Sequence, residues 1–375
     1  MKKRLILFLL ASTLLALGAC GYKVPVLPDE SSQSIASASE STSAESISAE
    51  STSAESTSAE SSQPEAEAKE LKVHYIDVWQ GDSAFIELPD GKCMLIDSGE
   101  YEYAGRVISL IDCLGYKKLD YVIVTHPHTD HMGGMQRVIE NFKIGEIYMP
   151  EAVGDTGAFI NLLEAIDNMG LSINIAKSGV EIPLSSGAKA RFVAPVAIVE
   201  DLNNCSAMLH LSYGERSFLF TGDAEILEEE TVTDNIDCDV LKVGHHGSYT
   251  SSGNAFLKKA SPEIAVISCG KGNDYGHPHS DALKRLEKAG VKKIYRTDLL
   301  GNITVATNGK TLETVYGIKP SGYKWVLNIG SKKLHAAECD SAIEMKESNK
   351  AYSKRSLKEL QELGYTLCGS CKPQE

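Results

Sequence analysis

The chain has 375 residues, and 42% of them are hydrophobic, which is enough to bury a sizeable core. Its formal net charge is −14, and the segment 71–318 alone has 34 acidic against 22 basic side chains. This balance gives no support for a broad nucleic-acid-binding surface, because such a surface needs an excess of Lys and Arg.

The first 20 residues have the pattern of a secretory signal. A basic start at 2–4 precedes an apolar run at 5–17 that is too short to span a bilayer. The sequence Leu-Gly-Ala-Cys at 17–20 resembles a bacterial lipobox, which implies cleavage before Cys20, lipidation of its thiol and anchoring to the cell membrane. A simple signal peptide or a short membrane anchor are the alternatives.

Residues 21–70 are predicted to form a disordered linker that is rich in Ser and Glu. The pentapeptide Ser-Thr-Ser-Ala-Glu at 41–45 recurs almost unchanged at 46–50, 51–55 and 56–60. Almost no large apolar side chain is present to form a core, so the segment is predicted to act as a tether.

A cluster of metal-binding residue types follows the apolar run 121–124: His126, His128, Asp130 and His131. Because the whole chain has only 10 His, packing alone does not explain this clustering. His126 and His128 can turn their imidazoles to one side of an extended segment, while Asp130 and His131 face the adjacent volume. One loop could therefore begin two neighbouring metal sites.

The spacing His126-x-His128-x-Asp130-His131 resembles the signature of the metallo-β-lactamase fold, a superfamily of metal-dependent hydrolases. The resemblance extends over about 71–318 and implies an α/β fold with four αββα layers. It also implies one or two divalent metal ions, Zn or Mn. Alternating predicted strands and helices agree with this fold class.

Three further positions extend the resemblance. Asp97 is expected to support the histidine loop through hydrogen bonds, and a plain turn residue is the alternative. Asp223 follows a predicted strand and would bridge two metals, with a helix N-cap as the alternative. His277 would be the last ligand of the second metal, and His246 is the alternative for that role.

The first metal site lacks a donor that many relatives have. Where they carry a third histidine, this chain reads Leu-Asn-Asn-Cys-Ser at 202–206. Asn204 is expected to support the site from behind, and Asn203 or Asn204 could instead replace the missing ligand. The site formed by His126 and His128 is therefore expected to bind metal more weakly.

Two further segments resemble ComEC-type competence proteins, whose hydrolase part belongs to a DNA-uptake system. In the loop 77–83, Trp79 stands where that family has a glycine, a residue that often supplies a backbone conformation others avoid. His245, His246 and Ser248 match a segment that lines the active site there and in the similar cell-wall phosphorylcholine esterases. The resemblance implies that they contact phosphoryl oxygens or the leaving group.

Residues 319–375 are predicted to be a separate small unit. His335, Cys339, Cys368 and Cys371 resemble the donors of short zinc-binding modules found in some secreted nucleases and hydrolases. One structural Zn would supply stability that so short a segment lacks. A disulfide between Cys368 and Cys371 is the alternative.

Together these features predict an extracytoplasmic, lipid-anchored hydrolase that cleaves a phosphodiester with metal-bound hydroxide, with DNA among the candidate substrates. Catalysis is assigned to Asp130 together with His245, His246 and Ser248. One alternative is a wall-polymer hydrolase similar to the phosphorylcholine esterases. The other is a non-catalytic binding lipoprotein that retains the fold. No protein partner can be predicted from the sequence.

Overall fold

The structure, a computed structural model, describes residues 69–373. Cys20, the signal segment and the repeats of the predicted linker lie outside these residues. Within residues 69–373, no helix combines the length and the apolar character needed to cross a bilayer.

The first half of the described chain carries the strands and helices that lead into and out of the histidine cluster. In chain order they are β1 (Leu71–Tyr75), β2 (Ala84–Glu87), β3 (Cys93–Ile96), α1 (Ala104–Cys113), β4 (Lys118–Ile123), α2 (Thr129–Met132), α3 (Met135–Ile139), β5 (Lys143–Met149), α4 (Gly157–Asn168), β6 (Ile173–Ile175), β7 (Glu181–Ile182) and β8 (Lys189–Phe192).

The second half continues the alternation and ends in a small additional sheet. Its elements are β9 (Leu209–Tyr213), β10 (Arg216–Phe220), α5 (Ile226–Glu229), β11 (Val240–Lys242), α6 (Asn254–Ala260), β12 (Ile264–Ile267), α7 (Ser280–Lys288), β13 (Lys293–Arg296), α8 (Thr297–Leu300), β14 (Ile303–Thr307), β15 (Leu312–Tyr316), β16 (Trp325–Asn328), β17 (Lys333–His335), α9 (Asp340–Ile343), β18 (Lys350–Ser353), α10 (Leu357–Glu362) and β19 (Thr366–Leu367).

Two large sheets pack face to face and form the centre of the fold. Their strand orders are β15-β14-β1-β2-β3-β4-β5-β6 and β13-β12-β11-β10-β9-β8-β7. Side chains alternate between the faces of each strand, so Phe218 and Phe220 of β10 pack between the sheets while Leu219 faces the other way.

Helices cover the outer face of each large sheet. Apolar residues of α1, α3 and α4 share one buried cluster with the first sheet. Those of α6 and α7 share another with the second sheet. The layers thus run helix, sheet, sheet, helix, which confirms the predicted αββα sandwich.

The C-terminal sheet has the order β18-β16-β17-β19 and packs on the helical layer of the first sheet. Trp325, Leu327 and Leu334 belong to the same apolar cluster as α1. Asp112 on α1 accepts hydrogen bonds from the Ser353 hydroxyl at 2.9 Å and the Lys354 amide at 2.8 Å. The segment predicted as a separate unit therefore shares a core with the rest of the fold, and this core stabilises it in addition to any metal.

Candidate metal centre

The strand order brings five chain segments to one edge of the two sheets. β3 and β4 run parallel, as do β10 and β11. Because the carboxyl ends of parallel strands lie at the same edge, the loops that follow them meet there. The loop between β1 and β2, at 77–83, leaves at this edge too, since β1 runs in the same direction as β3.

Asp97 anchors the histidine loop from beneath. This fully buried carboxylate accepts hydrogen bonds from the Thr125 amide at 2.8 Å and the Thr125 hydroxyl at 2.6 Å. It also lies 2.9 Å from His131 Nδ1. The contact fixes the imidazole so that Nε2 is left to face the centre, which is the supporting geometry expected of Asp97.

Four buried side chains converge at this edge of the sheets: Asp82, His131, Asp223 and His246. One donor atom from each lies within 4.8 Å of the others. His131 Nε2 is 3.1 Å from Asp223 Oδ1, and His246 Nε2 is 3.3 Å from Asp223 Oδ2. Asp130 borders the group, with Oδ2 3.1 Å from His246 Nε2. We refer to these five residues as the Asp/His centre.

The last histidine of the centre is His246, and the primary assignment of that position to His277 requires correction. His246 follows β11, the immediate neighbour of the strand that ends before Asp223. His277 follows β12, one strand further away, and its Nδ1 lies 3.2 Å from the Gln80 side-chain nitrogen instead. The alternative proposed from the sequence therefore has the better geometry.

Asp82 and Lys242 were not identified as site residues from the sequence. Asp82 Oδ1 lies 3.2 Å from His246 Nδ1, and its Oδ2 lies 2.5 Å from Lys242 Nζ. Both side chains are buried. The Ser268 carbonyl accepts the hydrogen bond from His246 Nδ1 at 3.0 Å, so Asp82 is a buried charge beside His246 with a lysine as its counterion. A lone lysine ending the apolar strand β11 was the signal that could have indicated it.

His126 and His128 lie side by side but outside the converging group. His126 Nε2 is 3.0 Å from His128 Nδ1. Where a third histidine was missing, the hydroxyl of Ser206 lies 3.4 Å from His126 Nδ1 and accepts a hydrogen bond from the Asp223 amide. This pair gathers fewer donors than the Asp/His centre.

Asn204 does not replace the missing ligand. Its side-chain oxygen accepts hydrogen bonds from the Glu225 and Glu228 amides, and its nitrogen donates to Asp201 at 3.2 Å. Both polar atoms of the Asn204 side chain therefore make hydrogen bonds that join two loops. Asn203, the other residue considered for this role, has a buried side-chain oxygen without a hydrogen-bond partner among the described residues.

The segment after β11 has an unusual backbone. His245 and His246 both have positive φ, 47° and 53°, a conformation that residues with a Cβ rarely adopt. Gly247 follows with φ 82°, and a Cβ there would lie 2.6 Å from Cβ of Pro278. This strained turn places the side chains of His245 and His246 next to Asp223.

His245 and Ser248 occupy different environments. His245 is partly exposed; its Nε2 lies 3.7 Å from Asp223 Oδ2, and its Nδ1 lies 3.2 Å from Glu225 Oε1. The buried Ser248 hydroxyl is 2.9 Å from the Thr250 hydroxyl. His245 can therefore reach a molecule bound beside Asp223, whereas Ser248 is paired within its own loop, and its contact with phosphate stays a prediction.

Trp79 keeps the conformation expected of the glycine it replaces. Its φ is 62°, and its indole ring lies 6.1 Å from the ring of Tyr103 in a stacked arrangement. The loop is held further by Asp82, whose amide donates to the Asp130 carbonyl at 3.1 Å. Tertiary contacts thus hold the loop against the metal-binding segment.

The electrostatics of the centre favour positive charge. Burial lowers the pKa of His131 and of His246, but the neighbouring carboxylates, Asp223 foremost, reverse this effect and leave both pKa values well above the ordinary range. Burial raises the pKa of Asp223 and of Asp130, yet the adjacent histidines hold both values below normal. The carboxylates therefore stay ionised and attract cations.

The donor atoms also fit a bound cation sterically. Although His131 Nε2 and Asp223 Oδ1 are 3.1 Å apart, neither makes a hydrogen bond within the described part of the chain. Asp82 Oδ1 is a third such buried atom. A metal ion would satisfy these buried donor atoms, which converge without hydrogen-bonding one another. A donor set of imidazole nitrogens and carboxylate oxygens suits Zn or Mn.

A second donor group lies in the C-terminal sheet: His335, Cys339, Cys368 and Cys371, the four residues predicted there. One donor atom from each lies within 4.8 Å of the others. All four cysteine and histidine side chains are at least partly buried, and the thiols are free rather than disulfide-bonded. Hydrogen bonds from the Cys371 and Ser370 amides lower the pKa of Cys368 to about 7, which favours a thiolate. We call this the Cys/His group.

Comparisons with known proteins identify the family of the chain. The profile of the family described as the metallo-beta-lactamase superfamily matches residues 76–271. ComE operon protein 3 of Bacillus subtilis is 31% identical over 257 residues, covering 63% of this chain and 33% of that protein. Competence protein ComA of Neisseria gonorrhoeae is 30% identical over 239 residues, covering 62% and 32%. The chain thus spans about a third of the length of these relatives.

Among solved structures, the metallo-beta-lactamase fold protein YhfI from Bacillus subtilis is similar to this chain, and the similarity covers 64% of this chain and 100% of YhfI. Its TM-score is 0.44 at 14% sequence identity.

Proposed function

The chain belongs to the metallo-β-lactamase superfamily of metal-dependent hydrolases, and we propose that it hydrolyses a phosphodiester bond at the Asp/His centre. The observation that carries this proposal is the convergence of the unpaired, buried donor atoms of His131 and Asp223 with His246 Nε2 beside them. The similarity to competence proteins supports a nucleic-acid phosphodiester, DNA included, as the substrate class.

In this proposal Asp130, His131, Asp223 and His246 hold a divalent metal. When bound, such an ion lowers the pKa of water and offsets the charge of a phosphoryl oxygen. Asp97 and the Ser268 carbonyl hold the imidazoles of His131 and His246 through their Nδ1 atoms, at 2.9 and 3.0 Å, and Asp82 lies 3.2 Å from His246 Nδ1. His126 and His128 would hold a second, more weakly bound metal.

The remaining steps fall to side chains at the mouth of the site. The oxygen of an attacking water forms the new bond to phosphorus, and Asp130 accepts a proton from that water. The bond from phosphorus to the leaving oxygen breaks, and the leaving oxygen takes a proton from His245. His245 suits this role because it is partly exposed, so solvent water can replace its proton, and Glu225 Oε1 lies 3.2 Å from its Nδ1 and orients the ring.

A substrate panel tests the proposal. The purified protein, supplied with Zn or Mn, should hydrolyse single-stranded DNA, RNA or bis(p-nitrophenyl) phosphate, and His245→Ala should slow the reaction about 10²- to 10⁴-fold. Activity only on phosphorylcholine-bearing wall polymer would favour the wall-polymer hydrolase. A protein that binds no metal at the Asp/His centre would favour a non-catalytic binding role.

Location and the C-terminal group complete the proposal. We propose that the protein is extracytoplasmic and anchored through lipidated Cys20, so Cys20→Ala should release it from membranes. An unchanged membrane fraction for that variant would require a different anchor. The Cys/His group is proposed to hold one structural Zn, because four donors of this type close a tetrahedral site.

A further inference from the structure

A row of aromatic rings leads from the Asp/His centre to the protein surface. The ring centroids of His131 and His246 are 5.2 Å apart, and those of His246 and His277 are 6.1 Å apart. Tyr275 continues the row, stacked on His277 at 5.6 Å with only 20° between the ring planes. The phenol ring is 66% exposed. One face of Tyr275 is therefore covered by an imidazole, and much of the remaining ring surface is open to solvent.

The loop that carries Tyr275 is held firmly in place. The Asn273 side chain accepts hydrogen bonds from the Tyr275 and His277 amides at 3.2 and 3.0 Å. Its nitrogen donates to the carbonyls of His277 at 2.7 Å and Gly270 at 2.8 Å. An exposed aromatic ring on such a braced loop has little conformational entropy to lose on binding a flat ligand.

We propose that the open face of Tyr275 is a stacking site for a nucleobase next to the scissile phosphodiester of a single-stranded nucleic acid. This inference rests on the proposed function and adds the feature of the substrate that the site recognises. Two ring spacings, 5.6 and 6.1 Å, separate Tyr275 from His246, a distance that a short stretch of single-stranded nucleic acid can span.

The charge of the protein favours stacking over electrostatic attraction. The segment 71–318 has 34 acidic and 22 basic side chains. This excess of negative charge disfavours binding along the phosphate backbone of a duplex. Stacking of a base on an aromatic ring needs no cationic surface and tolerates any sequence. Proteins typically recognise a quaternary ammonium with a cage of several aromatic rings, whereas Tyr275 offers a single open face.

The test compares Tyr275→Ala and Tyr275→Phe with the parent, using the full chain and a short single-stranded DNA with or without abasic residues beside one cleavable phosphate. For the DNA with bases, Tyr275→Ala should raise KM about 5- to 100-fold, the size of one base-aromatic stack, and change kcat much less. Tyr275→Phe should retain the parental KM. The parental preference for DNA with bases over abasic DNA should disappear in Tyr275→Ala.

A binding measurement separates this inference from the proposed function. Fluorescence anisotropy of the labelled DNA, without added metal, should show the same 5- to 100-fold weakening for Tyr275→Ala. Tyr316→Ala, which removes a tyrosine of similar exposure, 57%, from the edge strand β15, should bind as the parent does. Base-dependent binding without hydrolysis of any phosphodiester would refute the proposed function but keep the stacking site. Equal binding and KM for the parent and Tyr275→Ala would refute the stacking site.

Discussion

Four of the five residues of the Asp/His centre, and all four of the Cys/His group, offer donor atoms within 4.8 Å of one another, but the two groups differ in chemistry and setting. The first combines carboxylates with imidazoles where the loops of two large sheets meet. The second combines three thiols with one imidazole in a small C-terminal sheet. Oxygen and nitrogen donors next to the partly exposed His245 suit a metal that takes part in a reaction. Four sulfur and nitrogen donors that fill all positions of a tetrahedral site suit a structural metal.

The supports of the two groups differ in the same direction. Each histidine of the Asp/His centre has a buried aspartate within 3.2 Å of its Nδ1. In the Cys/His group, His335 Nδ1 instead lies 3.5 Å from the Cys339 thiol, itself a donor. Carboxylates behind the ligands tune and orient a reactive metal, so their presence in only one of the groups distinguishes a centre built for chemistry from one built for stability.

The largest effect is expected within the Asp/His centre. His131→Ala should reduce phosphodiester hydrolysis on the order of 10³-fold or more, because it removes a metal donor and one of the histidine partners of Asp223. His126→Ala should leave one tight metal and a residual rate that rises with added metal. Titrating metal into each variant while following hydrolysis measures both. Equal losses in the two variants, or two equally tight metals in the parent, would contradict the inequality of the sites.

Disrupting the Cys/His group should affect stability more than chemistry. The double variant Cys368→Ser, Cys371→Ser should lose one bound metal and about 3–5 kcal/mol of the free energy of unfolding. Its hydrolytic rate should stay closer to the parental value than that of His131→Ala. Elemental analysis and thermal unfolding measure these effects. The control is Cys113→Ala, which removes a buried thiol that belongs to neither the Asp/His centre nor the Cys/His group. A thiol titration that finds Cys368 and Cys371 oxidised in the parent would support the disulfide instead.

A pH effect of intermediate size is expected from Glu229, outside both groups. Burial raises the pKa of Glu229 to about 7, although the Gly253 and Ser252 amides and Arg285 oppose the shift. Since this folded pKa exceeds the ordinary value of 4.5, its stabilising contribution is complete below pH 4.5 and is lost as the pH rises to about 7. The loss is about 3 kcal/mol.

Glu229→Gln should remove this component of the pH dependence. Urea unfolding of the parent and the variant at pH 5 and pH 8 measures the difference in slope. Glu230→Gln, which changes the neighbouring exposed carboxylate, serves as the control. An identical decline in stability for the parent and Glu229→Gln would show that other groups cause it.

The smallest effect concerns Asp82, whose carboxylate contacts both His246 and Lys242. Replacing Asp82 alone would leave the lysine buried without a partner, so the informative variant is Asp82→Asn combined with Lys242→Met. If Asp82 orients His246, this double variant should bind metal about 10- to 100-fold more weakly. Lys242→Met with Asp82 intact is the control. Parental metal affinity in the double variant would reduce Asp82 to a counterion for Lys242.

The sequence was sufficient to predict the fold class and the local part of the centre. The spacing of His126, His128, Asp130 and His131 lies within one loop, so its meaning does not depend on distant contacts. The αββα layers followed from the resemblance and from alternating strands and helices, and the structure has them. The four residues of the Cys/His group could likewise be picked out, because they form two short, recognisable spacings.

Pairings between distant loops were harder to predict. Asp82 and Lys242 are 160 positions apart, and only the sheet order places them in contact. The choice between His246 and His277 depends on which strand is the neighbour of β10, which no local motif encodes. The apolar residues of β16 were visible in the sequence, but nothing in their pattern indicated that they would pack on α1.

The most direct test of the central claim is metal binding by Asp223→Asn, measured together with its activity. Calorimetric titration with Zn or Mn would use the Cys368→Ser, Cys371→Ser background, in which only the Asp/His centre should bind tightly. Asp223 contacts His131, His245 and His246 in the centre, so its replacement should abolish tight binding and phosphodiester hydrolysis together. Retention of hydrolysis by Asp223→Asn, or no tight metal in the background protein, would contradict a metal-dependent hydrolase at this centre.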